Sequence, residues 1–311
     1  MKISFVIPVY NESESLEQLY SEIIHEVSTV YDYEIIFIDD GSVDDSFTIL
    51  ERIASKDSNV RVVQFRRNFG KAAALQTGFE IASGEYVLTL DSDLQDNPKE
   101  IHSFISKLEE GYDLVSGWKK RRKDPISKTL PSRFFNKVTS TLFKLPLKDF
   151  NCGFKAYRNE VVKELDIYGE LHRYIPVLAH SKGFKVAEIP VDHRERTFGK
   201  SKYGFERLFR GFFDLLTVSL LTSYIRSPLY LFGSIGFYTS AAGFVIGLYL
   251  SIMKIFYGMP LSNRPLLFMS ILLITVGLQF FSIGLIGELI INQNRKHTKS
   301  SAVSIRKRLN V

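Results

Sequence analysis

From residue 227 to 253, and again from 265 to 287, the chain carries no charged side chain. Each run exceeds the roughly 20 residues that an α-helix needs to cross a bilayer. No other feature limits the fold so strongly, because core helices of soluble proteins seldom run this long without a charge. Two such runs separated by residues 254–264 predict a helical hairpin with both of its ends on one side. Arg207, Arg210 and Arg226 precede the first run, and Arg295, Lys296, Lys299, Arg306, Lys307 and Arg308 follow the second. Cations gathered there mark that side as cytoplasmic, and Lys254 and Arg264 oppose the assignment only weakly. Glu288 is costly in lipid and is expected to face protein, headgroups or another subunit.

The composition divides accordingly. A hydrophobic content of 45% and a mean hydropathy of +0.00 are high for a soluble enzyme, and the excess lies after about Ser227. The expected organisation is a soluble domain over 1–202, an interfacial amphipathic helix over 203–226, two spans within 227–291 (about 227–253 and 265–290), and a basic tail over 292–311. Phe205, Leu208, Phe209, Phe212 and Leu216 share one helical face, opposite Glu206, Arg207, Arg210 and Asp214. A second stripe, Phe134, Val138, Leu142 and Leu145 beside Arg133, Lys137 and Lys144, fits an interface helix and a helix packed on a sheet equally well. The single cysteine, Cys152, excludes an internal disulfide and fits a reducing compartment. The first residues lead straight into a strand and Pro8, so no cleaved leader is expected. A formal charge of +6 suits an anionic membrane or phosphate-bearing ligands. The cations cluster beside the apolar runs rather than among interleaved aromatics, so nucleic acid is not an expected partner.

Within the soluble part, apolar runs at 3–9, 33–38, 60–65 and 86–90 read as strands, and helical spacing at 14–30, from 44 onward and at 70–81 places helices between them. This alternation predicts an α/β domain on a parallel, doubly wound sheet, in which ligands bind beyond the carboxyl ends of the strands. Tyr10, Asn11, Glu12, Asp39, Asp40, Asp91 and Asp93 all fall at such ends. Asp91 and Asp93, two positions apart where Asn97-Pro98 ends the strand pattern, can aim together at a hard divalent cation, with the Gln95 amide oxygen beside them. Lys71, just inside a helix start, can complement diphosphate charge. A dinucleotide fold would need Gly-x-Gly-x-x-Gly where this chain reads Pro-Val-Tyr-Asn-Glu, and no P-loop lysine motif is present.

VIPVYNE at 6–12, IDDGSVDDS at 38–46, RNFGKAAAL at 67–75, DSDLQDNP at 91–98 and HRERTFGKSKYG at 193–204 resemble glycosyltransferase family 2. The closer resemblance is to the polyprenyl-phosphate glycosyltransferases, the group that includes dolichol-phosphate mannose synthase and bacterial undecaprenyl-phosphate sugar transferases. It covers residues 3 to about 290. It implies a GT-A (Rossmann-like) catalytic domain ahead of the interface helix and membrane hairpin. Pro8, Tyr10, Glu12 and Asp40 match positions that hold the nucleotide's base and ribose, and Asp91, Asp93 and Gln95 match those around the metal, Mg2+ or Mn2+, and the diphosphate. The family often shows arginine after the Gly-Ser or Gly-Trp pair that follows the 113–115 strand. Here Lys119 follows Gly117-Trp118, and a point charge replaces a guanidinium fork only in part.

The stretch 149–155 resembles the acceptor-side loop of the same enzymes, but of the acids found there in the glucosyl branch it keeps only Asp149. No general base is required, because a lipid monophosphate with a second pKa near ~6 is largely a dianion at neutral pH. Bringing two anions together needs cations, for which Arg133, Arg194, Arg196, Lys200 and Lys202 are the candidates, with Asp91, Asp93, Arg133 and Lys202 as the catalytic set. Gly199 and Gly204 suggest that the 193–204 loop is a lid as well as a basic patch. The implied enzyme is a multi-pass protein of the cell inner (plasma) membrane with its catalytic domain in the cytoplasm. It would move one sugar, with inversion, from a nucleoside diphosphate to a polyprenyl phosphate. Glucose or N-acetylglucosamine is favoured, and GDP-mannose is the alternative donor. A processive polysaccharide synthase would need a Gln-x-x-Arg-Trp motif and more spans, and a nucleotide-sugar-binding scaffold would have lost its metal ligands or basic loop. The sequence leaves a homo-oligomer open.

Overall fold

The computed structural model describes residues 1–120, 126–194, 217–218, 228–258, 260 and 265–297. The chain divides into two compact units, one carrying residues 1–218 and one carrying the two long apolar helices. In the first unit, β1 (Lys2–Val9), β2 (Asp32–Asp39) and β4 (Tyr86–Thr89) are close to continuously apolar, as strands covered on both faces must be. β1 lies between the other two in parallel, with Phe5 opposite Ile35 on one side and Leu88 on the other. With β3 (Val60–Gln64), β5 (Leu114–Lys119), β6 (Lys155–Arg158) and β7 (Val186–Val191), the sheet order is β3-β2-β1-β4-β6-β5-β7.

The sheet departs from the expected all-parallel arrangement at one strand. β6 runs antiparallel between β4 and β5, so its first residue, Lys155, lies opposite Thr89 at the end of β4 and Ser116 of β5. That reversal brings residues 149–154 to the carboxyl end of the sheet, where the acidic motif leaves β4.

Helices flank the sheet. The apolar face of α1 (Leu16–Val27), with Leu16, Leu19, Ile23 and Val27 buried, covers a shorter span than the expected 14–30 because Glu12 and Ser15 are drawn into a loop. α2 (Ser46–Lys56) and α3 (Lys71–Ile81) follow as their spacing predicts. A Cβ on Gly78 of α3 would meet Val6 Cγ1 at 2.2 Å, so this glycine lets the helix lie directly on β1. α4 (Ile101–Glu109), α5 (Ile126–Phe143), α6 (Asn159–Glu164) and α7 (Ile175–Ser181) complete the unit. Of the described residues of the 132–145 stripe, Leu145 is buried, Val138 half-buried and Leu142 exposed, and the helix meets the domain through the neighbouring face. Asn136 and Thr139 are buried, Asn136 Nδ2 donates to Lys148 O, and the Phe135 ring meets Tyr174 edge-on at 5.7 Å.

The second unit pairs α8 (Pro228–Tyr257) with α9 (Pro265–His297), both reaching past the expected span ends. By length and composition both can cross a membrane. Small residues set their approach: a Cβ on Gly236 would meet Gly277 O at 2.5 Å, and Ser270 Oγ donates to Gly243 O at 2.7 Å. The expected interfacial helix over 203–226 lies outside the described residues apart from Thr217 and Val218, which are helical, and so do residues 298–311 of the basic tail.

A buried carboxylate ties β2 to the sheet's other elements. Glu34 is 4% exposed, and it accepts from Ser4 Oγ at 2.5 Å and from the Ser83 amide at 2.7 Å, with Lys2 Nζ and Arg61 Nη1 each 3.3 Å away. Burial alone would raise its pKa, but hydrogen bonds from Ser4 and Ser83 and the Lys2 charge bring it down to about 2. Glu34→Ala strands those donors and is expected to destabilise the domain by about 2–3 kcal/mol, read as a lower midpoint in thermal unfolding of the detergent-solubilised protein. Because the folded pKa lies below the unfolded value, this stabilisation is complete above the ordinary carboxylate range of about 4.3 and is lost as pH falls toward 2. The gap between wild type and variant should therefore narrow as the medium is acidified, and a pH-independent gap would contradict the assignment.

Candidate active site

The loops beyond β1 and β2 clasp one another. Asn11 sits in the left-handed region (φ 52°), where its amide donates to Ser42 Oγ at 2.9 Å and its side-chain oxygen accepts from the Val43 amide at 2.8 Å. The Glu12 amide donates to Ser46 Oγ at 3.0 Å. Pro8, within β1, and half-buried Tyr10 and Glu12 therefore lie on a rim fixed from both sides. Asp40 is buried and accepts from the Phe69 amide at 2.7 Å and the Gly70 amide at 2.9 Å, so the structure places it as the clamp of the 67–70 loop that delivers Lys71. Burial pushes its pKa up against those two amides, and Asp39 adds to the rise. Gly41 (φ 70°) makes the clamp possible, since a Cβ there would lie 2.4 Å from the Arg67 carbonyl carbon.

Beyond β4 the chain turns back through Leu94, also left-handed (φ 63°). The turn lets Asp93 Oδ1 accept from the Gln95 amide and buried Asp96 Oδ2 accept from the Asp91 amide, both at 3.2 Å. Lys71 Nζ pairs with Asp91 Oδ1, and Gly153 backs the same carboxylate so closely that a Cβ would lie 2.5 Å from Asp91 Oδ2. Burial would raise the Asp91 pKa, but Lys71, then Lys119 and Lys155, bring it down to about 2. Lys119 Nζ stands 3.9 Å from Asp96. Burial works against the Lys119 charge, yet Asp96 and other nearby anions raise its pKa. Lys155 is 3% exposed, donates to Cys152 O and has its pKa lowered by burial, while burial pushes the Cys152 thiol up to about 12.

A second segment is stitched onto this loop. Asp96 and His193 form an antiparallel bridge, the Arg194 amide donates to Gln95 O at 3.0 Å, and Gln95 Nε2 lies 3.5 Å from His193 Nε2. Arg194 does not gather with Lys71 and Lys119. Its Nη1 meets Glu22 Oε2 at 2.6 Å, and its Nη2 meets Asn97 Oδ1 at 2.8 Å. Arg133 falls in α5 with its side chain outside the described residues, and Arg196, Lys200 and Lys202 lie outside them altogether. Asp149 is fully buried and accepts from the Asn151 amide at 3.1 Å, as a loop cap does.

Among the described residues no group of three or more His, Cys, Asp or Glu side chains is arranged to enclose a metal. Asp93 Oδ1 accepts from the Gln95 backbone amide at 3.2 Å and the Gln95 side chain reaches His193 at 3.5 Å, whereas Asp91, the other acid expected at the metal, is paired with Lys71. Asp93, Gln95 and His193 are thus the candidate donor set, and their oxygen and imidazole donors are of the kind that suits a hard divalent ion completed by substrate oxygens. Sequence reading missed Asp96, Gly153, Lys155 and the place of His193. Asp96 shared the acidic motif, but only the left-handed turn at Leu94 returns it to Asp91. His193 opens the HRERTFGKSKYG stretch, but nothing local ties it to a residue 98 positions earlier.

Residues 4–166 match the family described as Glycosyl transferase family 2. The chain is 34% identical over 296 residues to a dodecaprenyl-phosphate galacturonate synthase of Rhizobium johnstonii, covering 93% of this chain and 88% of that one. It is 38% identical over 291 residues to an undecaprenyl-phosphate 4-deoxy-4-formamido-L-arabinose transferase of Shewanella sediminis, covering 93% and 86%. Among solved structures, glucosyl-3-phosphoglycerate synthase of Mycobacterium tuberculosis, crystallised with Mn2+, UDP and phosphoglyceric acid, superposes with a TM-score of 0.55 at 20% identity, covering 71% of this chain and 78% of that one. That likeness confirms the GT-A fold. With a family match over more than half of its length and relatives that span nearly all of it, the chain belongs to glycosyltransferase family 2 and is a glycosyltransferase.

Proposed function

We propose that this enzyme transfers one sugar from a nucleoside diphosphate to a polyprenyl phosphate at the cytoplasmic face of a membrane, with inversion at the anomeric carbon and with dependence on Mg2+ or Mn2+. The observation that carries the reading is the alternation of charge around Asp91, where Lys71, Lys119 and Lys155 interleave with Asp91 and Asp96 at the carboxyl end of the sheet. A chain that also carries two bilayer-length helices suits a lipid acceptor. In this reading 1–202 is the cytoplasmic catalytic domain, 203–226 lies in the interface, 227–291 spans the membrane and 292–311 is a cytoplasmic tail.

Pro8, Tyr10 and Glu12 take the base and ribose, and Asp40 contributes by holding the loop that presents Lys71. Asp93, Gln95 and His193 would hold the cation, which supplies neutralising charge to the leaving diphosphate when bound. Lys71 and Lys119, held by Asp91 and Asp96, keep further positive charge beside it. The acceptor phosphate oxygen attacks C1 as the bond from C1 to the diphosphate oxygen breaks, and the electron pair leaves on the nucleoside diphosphate. No proton moves, because the lipid phosphate is already a dianion above its second pKa of about 6. The burial of Asp149 and its hydrogen bond to Asn151 support a mechanism without a base. Arg133, Arg196, Lys200 and Lys202 bring the acceptor phosphate to the donor, with Arg133 and Lys202 completing the catalytic set.

The relatives' names carry galacturonate and 4-deoxy-4-formamido-L-arabinose, so they favour a uronic acid or a substituted amino-pentose over the glucose or N-acetylglucosamine expected from sequence. Membranes containing the enzyme, given undecaprenyl phosphate and labelled donors of all four sugars and of GDP-mannose, should pass label into lipid from one donor, and chelation should stop it. Silence from the whole panel would sink the reading. Asp93→Asn is expected to slow transfer by about two to three orders of magnitude. Gly153→Ala places a methyl 2.5 Å from Asp91 Oδ2 and pushes that carboxylate off Lys71. A loss of about 10²-fold in kcat is expected, with the near-ultraviolet circular dichroism of the folded domain retained. Full activity in that variant would show that the position of Asp91 is not critical.

A further inference from the structure

We infer that Arg194 is a positioning residue for the Asp93, Gln95 and His193 donor set, clamped by Glu22 and Asn97 so that its guanidinium is engaged there and not on an acceptor phosphate. This rests on the metal reading proposed above. The guanidinium fork is planar and rigid, and two of its nitrogens are committed to different elements, Nη1 to Glu22 Oε2 on α1 at 2.6 Å and Nη2 to Asn97 Oδ1 at 2.8 Å. Asn97 closes the carboxylate loop and caps the 3₁₀ turn Pro98–Glu100 through the Lys99 amide. The Arg194 backbone faces the same loop, with its amide donating to Gln95 O at 3.0 Å and its carbonyl 3.5 Å from Gln95 Nε2.

His193 therefore has its ring beside Gln95 because the next residue is fastened at both backbone and side chain. The clamp also reaches the donor rim. α1 leaves the loop that carries Tyr10 and Glu12, and Ser15 Oγ, at its start, donates to Ser92 O at 2.6 Å. Glu22 lies on the following turns of the same helix. Arg194 thus closes a ring of contacts running from α1 through the carboxylate loop to the 192–194 segment and back to α1. Neither Glu22 nor Asn97 belongs to the donor set, so either can be changed without removing a ligand. A partly exposed Arg–Glu pair alone contributes modestly to stability, so the main consequence of breaking this one should fall on the geometry of the donor set. Side chains that orient metal ligands typically change metal affinity by 10- to 100-fold.

The test uses the full-length enzyme in detergent. Mn2+ binding is followed by loss of the free-ion paramagnetic resonance signal, in parallel titrations with UDP and with GDP, beside initial rates over a range of polyprenyl phosphate concentrations. Arg194→Ala and Glu22→Gln are each expected to weaken Mn2+ binding by about 10-fold, Arg194→Lys to lie between them and wild type, and the exchange of Glu22→Arg with Arg194→Glu to recover most of the loss. The KM for polyprenyl phosphate should stay within about twofold. Unaltered Mn2+ affinity in both Arg194→Ala and Glu22→Gln overturns the inference, as does a raised acceptor KM with Mn2+ binding intact, which would place Arg194 at the acceptor phosphate. Glu22→Gln keeps the test decisive if an Arg194 variant fails to fold. Wild-type enzyme that takes up no Mn2+ with either nucleotide overturns the metal reading itself, whereas wild-type binding with unaltered variants overturns only the clamp.

Discussion

The hydrogen bond from the Asp91 amide to Asp96 Oδ2 is short in sequence and long in consequence. It can form only if the chain doubles back through a non-glycine residue in the left-handed region, at Leu94, an arrangement that persists only when its surroundings hold it. The surroundings do so from three directions. Lys119 reaches Asp96 from β5, His193 bridges to it from beyond β7, and Gly153 presses on Asp91 from the start of β6. The two carboxylates thus sit where the ends of β4, β5 and β6 meet, and the antiparallel entry of β6 is what brings in the third.

Buried and half-buried charges crowded this closely are tolerable only in mixed company. Asp91 lies under the combined field of Lys71, Lys119 and Lys155, and its pKa falls to about 2 although burial alone would raise it. Asp96, more enclosed and next to Asp91, moves the other way. Desolvating charged pairs is expensive and seldom adds stability, so a cluster of this kind at the open end of a sheet is better understood as preorganised electrostatics for a ligand with several negative charges. A diphosphate entering here would find cations already fixed in place and would not have to order flexible side chains.

How much of this was legible in the sequence follows from the range of each interaction. The helices and central strands were readable because their apolar spacing is local, and the two membrane-length runs because absence of charge is local too. The strand-end position of Asp91 and Asp93 came from the same logic. The reversed β6 was not readable, since four residues of Lys-Ala-Tyr-Arg carry no direction, and the expectation of a parallel sheet failed there. Asp40 was expected at the nucleotide from the family resemblance, and its hold on the backbone of residues 69 and 70 is a further role visible only when the 67–70 loop is in place. Lys155 and His193 depend on partners far away along the chain, and no periodicity announces them.

Arg194 illustrates the remaining ambiguity of sequence. In the string HRERTFGKSKYG its charge looks interchangeable with that of Arg196, Lys200 and Lys202, and composition would count all four toward an anionic acceptor. Geometry commits Arg194 elsewhere, because a guanidinium already donating to a carboxylate at 2.6 Å and an amide oxygen at 2.8 Å must break both contacts before it can serve a phosphate. A fork that fits two acceptors so closely is better suited to hold a backbone in place than to chase a substrate. The described start of the motif, His193 and Arg194, is thereby fastened to the carboxylate loop at backbone and side chain alike, and a segment held at both levels keeps its register against that loop.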